Sequence, residues 1–237
     1  MIGILVILGI SWGLLYFFEK ENLLALGFFP PSKRLTQFVL GFAFTCLLNL
    51  LCLFIETNVK AIEWASNPLF REQLIVDSLW YHLKSTLTED LVFRGALLYL
   101  LMERVGVKVA ILFSAIAFGV YHWFSYGVLG NLIPMIYVFI ATGLMGYVWA
   151  VAFARSKSIL LGLGLHLGWN FVSQLFSRGP LGEVLYIESS SQALSELNNL
   201  IYLSITGIAV PLITLAFIHF YIGKGEEQDR AAVGVNP

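Results

Sequence analysis

Two acids and an arginine interrupt an apolar run at Thr88-Glu89-Asp90-Leu91-Val92-Phe93-Arg94-Gly95. Each ionised side chain near the centre of a membrane helix costs about 2.5–3.5 kcal/mol on insertion scales, so such groups face a partner or a water-filled cavity. Asp90 and Arg94 stand one helical turn apart, the spacing at which a carboxylate meets a guanidinium. Glu89 points roughly 100° away from Asp90 and is free for another task. Two further apolar segments carry polar residues at the same spacing: Phe118 with His122, and His166 with Asn170. A carboxylate in a low-dielectric cavity can take a proton from water, and an imidazole beside it can orient that water or pass the proton on. A second imidazole and a carboxamide offer N–H donors to a developing oxyanion. Glu89, His122, His166 and Asn170 therefore suit amide hydrolysis by an activated water, with Asp90 and Arg94 as a supporting ion pair and Phe118 as packing. No serine or cysteine occupies an obvious nucleophile position in these segments.

Each of these residues also has a plain structural reading. Thr86-x-x-Glu89 matches a capping box that closes a helix N-terminus. Asp90 and Arg94 fit a helix-surface pair near an interface. His122 beside Trp123 fits a headgroup contact, and Asn170 fits an interhelical hydrogen bond. His82 and His219 have no companion at helical spacing and read as interfacial residues.

The elements that must position these residues are membrane helices. Of 237 residues, 58% are hydrophobic and 12% charged, where soluble domains carry about 25% charged residues. Spans are expected near 2–18, 35–55, 86–102, 108–124, 131–154, 159–176 and 200–222. Residues 69–84 mix charges with Leu, Ile, Val and Trp and read as an amphipathic interfacial helix, continuous in one reading with the helix of the acid pair. The expected fold class is all-α, a polytopic integral membrane bundle of about seven transmembrane helices plus that interfacial helix. One domain covers 1–222, with its motif core at 86–170, and 223–237 is a polar tail expected to be disordered. The first span lacks a basic leader and a small-residue cleavage site, so it reads as a retained helix in a multi-pass protein of the cell membrane. Cys46 and Cys52 fall in one apolar segment and read as reduced packing residues. A net charge of −1 and the lack of a basic stripe argue against nucleic acid. The implied partners are the lipid bilayer and a membrane-associated peptide or protein substrate.

Direction of travel puts the polar residues at one depth. Glu89 lies near the start of the third span, His122 near the end of the fourth, and His166 and Asn170 in the same half of the sixth. With seven spans, the surface nearest Glu89 carries fewer basic residues, which places it outside the cytoplasm. The loop at 177–199 lies on that side and is a candidate gate.

In this setting the sequence resembles the CPBP family of intramembrane proteases, which includes the type II CAAX prenyl endopeptidases and the bacterial Abi and bacteriocin self-immunity proteins. The family signatures stand here as Glu89-Asp90-x-x-x-Arg94, Phe118-x-x-x-His122 and His166-x-x-x-Asn170, with Asp90 in place of a second glutamate. The resemblance implies an intramembrane endopeptidase in which Glu89 with His122 activates water and His166 with Asn170 stabilises the oxyanion. It implies no required cofactor. A divalent metal such as zinc remains an alternative, held by Glu89, His122 and His166. A non-catalytic peptide-binding or immunity protein of the same family is the main competing function, and a haem or metal carrier and a proton-coupled transporter are lesser ones. Processing of a prenylated CAAX tail needs a site open to the cytosol, which conflicts with the charge count.

Overall fold

The structure, a computed structural model, describes residues 2–176 and 181–232. It is an all-α bundle with one short strand pair. In chain order it comprises α1 (Ile2–Glu19), a 3-10 turn (Leu23–Leu26), α2 (Pro31–Val59), β1 (Glu63–Ser66), α3 (Glu72–Arg94), α4 (Ala96–Val105), α5 (Val107–Ser125), α6 (Leu132–Ser156), α7 (Ile159–Phe176), β2 (Tyr186–Ser190) and α8 (Glu196–Ala232). Among the described residues six helices, α1, α2, α5, α6, α7 and α8, are long and apolar enough to cross a membrane. Their outer faces leave large apolar side chains such as Phe17, Leu47, Phe54, Phe113 and Phe220 uncovered. Exposed apolar surface on that scale marks a lipid-facing wall. The protein is a multi-pass membrane protein.

The third expected span, 86–102, is not one helix. α3 starts at Glu72, runs unbroken through the segment expected to be interfacial, and stops at Arg94. Gly95 breaks the chain with φ −90° and ψ −133°, and α4 follows. A Cβ on Gly95 would collide with the carbonyl oxygen of Leu91, so the break demands glycine. The capping-box reading of Thr86 and Glu89 fails for the same reason. Thr86 is mid-helix, and its hydroxyl donates back to the His82 carbonyl at 2.7 Å.

Specific pairings fix the direction of each helix. Arg34 near the start of α2 donates to the Ser156 carbonyl ahead of α7 (2.8 Å), and Asn49 further along α2 donates to the Trp169 carbonyl of α7 (2.9 Å). α2 and α7 therefore run parallel. His82 pairs with Gln174 and Asp90 with His166, so α3 runs antiparallel to α7. Arg104 of α4 meets Glu19, the last residue of α1, at 2.7 Å. At the opposite end β1 and β2 pair antiparallel, with Trp64 opposite Glu188 and Ala65 opposite Ile187. The bundle thus has a strand end and an Arg104 end. Among the described residues α3 and α4 run in series between these ends, in addition to the six long apolar helices.

The strand pair was not visible in the sequence, where 63–66 and 186–190 read as loop. Apolar alternation over four or five residues is too short a signal to separate a strand from a turn. Asn67 reinforces the pair by donating to the Glu183 carbonyl at 2.7 Å. Residues 177–180, part of the expected gate, lie outside the described residues. α8 continues as helix to Ala232, past the expected boundary at 222, and residues 233–237 of the expected tail also lie outside.

α2 and α7 approach closely because glycines line the contact. A Cβ on Gly164 would meet the Phe38 carbonyl oxygen, and one on Gly168 would meet that of Phe42. Small residues one turn apart are the usual means of close helix approach in lipid. Cys46, a free thiol on α2, lies against the Gly168 carbonyl at 3.6 Å. Gly164→Ala should cost about 1–3 kcal/mol, the usual penalty for overpacking. The expected result is a lowered unfolding midpoint in detergent. A midpoint equal to wild type would mean that α2 moves away at no cost.

Candidate active site

The site is assembled where α3 ends, at the middle of the bundle. Asp90 and Arg94 are both about 1% exposed, and Arg94 Nη1 donates to Asp90 Oδ1 at 2.8 Å. This is no surface pair. The same Asp90 oxygen also receives His166 Nδ1 from α7 at 3.2 Å. Asp90 is thus a hub, and the shortening from glutamate to aspartate leaves it within reach of both partners. Arg94 Nε and Nη2 and Asp90 Oδ2 are buried without a hydrogen-bond partner. Aromatic faces serve the guanidinium instead: its Cζ lies 3.9 Å from the Phe118 ring centroid and 5.0 Å from that of Trp149. Phe118 is packing, as expected, and also a cation platform.

His166 is held on three sides. Its ring stacks on Trp149 of α6, with centroids 3.8 Å apart and planes at 21°. Its Nδ1 faces the Asp90 carboxylate, so that nitrogen carries a proton. Its Nε2 points toward Glu89 Oε2 at 3.8 Å. Glu89 is partly exposed, and Ser85 one turn earlier donates to its Oε1 at 3.3 Å. His122 of α5 is buried, with Nδ1 2.8 Å from the Phe118 carbonyl oxygen. A carbonyl only accepts, so Nδ1 is the protonated nitrogen and Nε2 of the neutral ring keeps its lone pair. The headgroup reading of His122 is therefore set aside. Its ring centroid lies 4.3 Å from that of Phe118, which stands 6.1 Å from that of His166.

The structure gathers Glu89, Asp90, Arg94, Phe118, His122 and His166 into one cluster. Asn170 lies one turn beyond His166 toward the strand end, half-buried, and makes no hydrogen bond among the described residues. Three supporting residues were missed in the sequence. Trp149 left a signal, since tryptophan belongs at membrane interfaces and here sits deep in a span. Ser114 donates to the Phe93 carbonyl at 2.8 Å, satisfying an acceptor that the break at Gly95 leaves open. Gln174 takes the His82 ring at 3.2 Å, so His82 is a buried link between α3 and α7 rather than an interfacial residue. His219 meets Arg155 at 2.9 Å on the far side of the bundle and has no part in the site.

Among the described residues no three His, Cys, Asp or Glu side chains converge as a group able to hold a metal ion. The Nδ1 atoms of His122 and His166 are engaged by the Phe118 carbonyl and by Asp90, which leaves Nε2 as the other ring nitrogen of each.

A buried acid–histidine cluster within a polytopic bundle is an arrangement that can activate water inside a membrane. The comparison with protein families carries this further: residues 71–172 match the model described as type II CAAX prenyl endopeptidase Rce1-like. That segment, from the start of α3 to just past the His166–Asn170 turn, is similar to the Rce1-like family of CAAX-type membrane proteases. Comparison with curated proteins and with solved structures gives no match.

Proposed function

We propose that the protein is an intramembrane endopeptidase in which Glu89 activates water against a peptide bond of a membrane-associated substrate. The observation that carries this reading is the pair of contacts made by His166, with Nδ1 on Asp90 and Nε2 turned toward Glu89. The buried acid Asp90 positions the imidazole, and the partly exposed acid Glu89 is left for chemistry. In the reaction, water attacks the carbonyl carbon while its proton passes to the Glu89 carboxylate. His122 Nε2, free to accept, orients that water. The tetrahedral oxyanion takes hydrogen bonds from the Asn170 carboxamide and from His166 Nε2 when that nitrogen also carries a proton. Collapse breaks the C–N bond, and the proton held by Glu89 goes to the leaving amine. None of these steps needs a metal.

The test is cleavage of a panel of quenched fluorescent peptides, one of them a prenylated CAAX peptide, by the protein purified in detergent with and without a strong chelator. The expected result is cleavage that the chelator does not reduce. Inhibition by the chelator would return Glu89, His122 and His166 to the role of metal ligands. No cleavage of any peptide by a folded protein would favour the peptide-binding or immunity reading.

Asp90→Asn tests the positioning role. The carboxamide keeps the shape but no longer demands a proton on His166 Nδ1, so the ring can adopt the wrong tautomer. In a triad hydrolase the equivalent change lowers kcat by about 10⁴-fold. A loss of about 10²–10⁴-fold in kcat with KM little changed is expected. An unchanged kcat would remove Asp90 from the mechanism.

A further inference from the structure

α2 and α8 meet at Phe44 and Phe217, whose rings stack with centroids 4.0 Å apart and planes at 10°. From there toward the strand end an open cleft of about 590 Å³ lies between the two helices. Leu48, Cys52 and Ile55 line it from α2, and Ile201, Ile205 and Ala209 from α8. Thr206 also lines it, but its hydroxyl donates to the Tyr202 carbonyl at 2.9 Å and is satisfied within its own helix. No residue of the acid–histidine cluster takes part. The face of α2 turned to α7 is a different one, marked by Asn49 on the Trp169 carbonyl.

Both helices are long and apolar enough to cross a membrane. Water is not available in the hydrocarbon region to fill such a cleft, and an empty one forfeits dispersion contacts along both walls. The lining on α2 runs from Leu48 to Val59, which is about 16 Å of helix at about 1.5 Å per residue. Half of a hydrocarbon core of about 30 Å has the same depth. Length, polarity and setting fit one acyl chain of the leaflet at the strand end.

The head end of the cleft is charged. The ridge of Leu48 and Cys52 continues at the same spacing into Glu56 and Lys60. Lys60 Nζ meets Glu56 Oε1 at 2.6 Å and lies 5.2 Å from the ring centroid of Tyr202, which lines the cleft. Gln192 N–H donates to the Lys60 carbonyl at 2.7 Å and ties the chain after β2 to this corner. Both charged side chains are partly exposed. An ammonium has three donors and a carboxylate about four acceptor sites, so one mutual bond leaves each able to take a ligand. A headgroup with a phosphate beside a primary ammonium complements the pair: the phosphate accepts from Lys60, and the ammonium donates to Glu56. A quaternary choline has no N–H for Glu56, and an anionic headgroup sets a second negative charge against it.

The geometry points to a binding site for an ethanolamine phospholipid, with one acyl chain in the cleft between α2 and α8 and the headgroup on Glu56 and Lys60. The site stands without the protease reading. The bound lipid supplies the packing that the two helices do not make with each other toward the strand end.

The test uses the full chain, purified in detergent and stripped of lipid. It is offered equal amounts of phosphatidylethanolamine, phosphatidylcholine and phosphatidylglycerol in mixed micelles, and the lipid retained after gel filtration is measured by mass spectrometry. The wild type should retain phosphatidylethanolamine in preference to the other two. Ala209→Trp fills the cleft and should lower that retention by about tenfold or more. The double variant Glu56→Gln with Lys60→Gln keeps the cleft and should retain the three lipids equally. Equal retention of phosphatidylethanolamine by the wild type and a folded Ala209→Trp overturns the inference. So does a wild-type preference for either other lipid, retention of none of the three, or a preference for phosphatidylethanolamine that survives the double substitution. If Ala209→Trp does not fold, the wild type and the double variant decide the matter by themselves.

Discussion

Glu89→Gln is expected to abolish turnover while leaving the fold intact. The amide has the size of the carboxylate and can still accept from Ser85, so the packing of α3 has no reason to change. What is lost is the partly exposed carboxylate beside His166. General-base catalysis contributes about 10²–10⁴-fold, and the same group must return the proton to the leaving amine, so the expected fall in kcat is at the upper end of that range. Turnover at saturating peptide and the thermal midpoint in detergent check both halves. A variant within about tenfold of wild type in kcat would show that Glu89 is not the base.

The second large effect is on stability. Arg94→Leu leaves the Asp90 carboxylate buried with His166 as its remaining partner and removes the cation from the Phe118 and Trp149 faces. Breaking one side of a buried pair costs about 3–5 kcal/mol. The double variant Asp90→Leu with Arg94→Leu removes both charges, and buried pairs replaced by apolar side chains are often neutral or stabilising by about 1–4 kcal/mol. The expected outcome is a strongly lowered midpoint for Arg94→Leu and substantial recovery in the double variant, which is nevertheless inactive because His166 has lost its orienting acid. A midpoint for Arg94→Leu within about 1 kcal/mol of wild type is what a solvated surface pair gives, and would contradict the burial of this one.

This contrast explains how the chain combines a costly charge pair with function. The pair is sited where α3 stops, so Arg94 lies in the last turn, where the helix dipole favours a cation. Gly95 makes that stop, and Ser114 accepts the consequence at the Phe93 carbonyl. An unbroken helix over 86–102 would have no such terminus at mid-depth.

The sequence by itself determined that the chain crosses a membrane repeatedly, because apolar runs of membrane length follow one another. It also picked out polar side chains that the fold brings together, because Glu89, Asp90, Arg94, His122 and His166 are expensive in lipid and all but Glu89 share a helical spacing with a partner. It could place them at a common depth, since alternating passages fix direction. Tertiary structure decided the rest. That Asp90 serves His166 as well as Arg94 depends on α3 and α7 running antiparallel at one distance, which no local pattern encodes. Trp149, Ser114 and Gln174 join the site only through packing between helices far apart in the chain. The break at Gly95 leaves no room for a Cβ against the Leu91 carbonyl, but a lone glycine in an apolar run is otherwise tolerated and does not announce a break. The pairing of β1 with β2 joins segments whose short alternation carries little local signal. Spacing and hydropathy are local properties of a chain; which faces meet is settled by the packing of all the helices together.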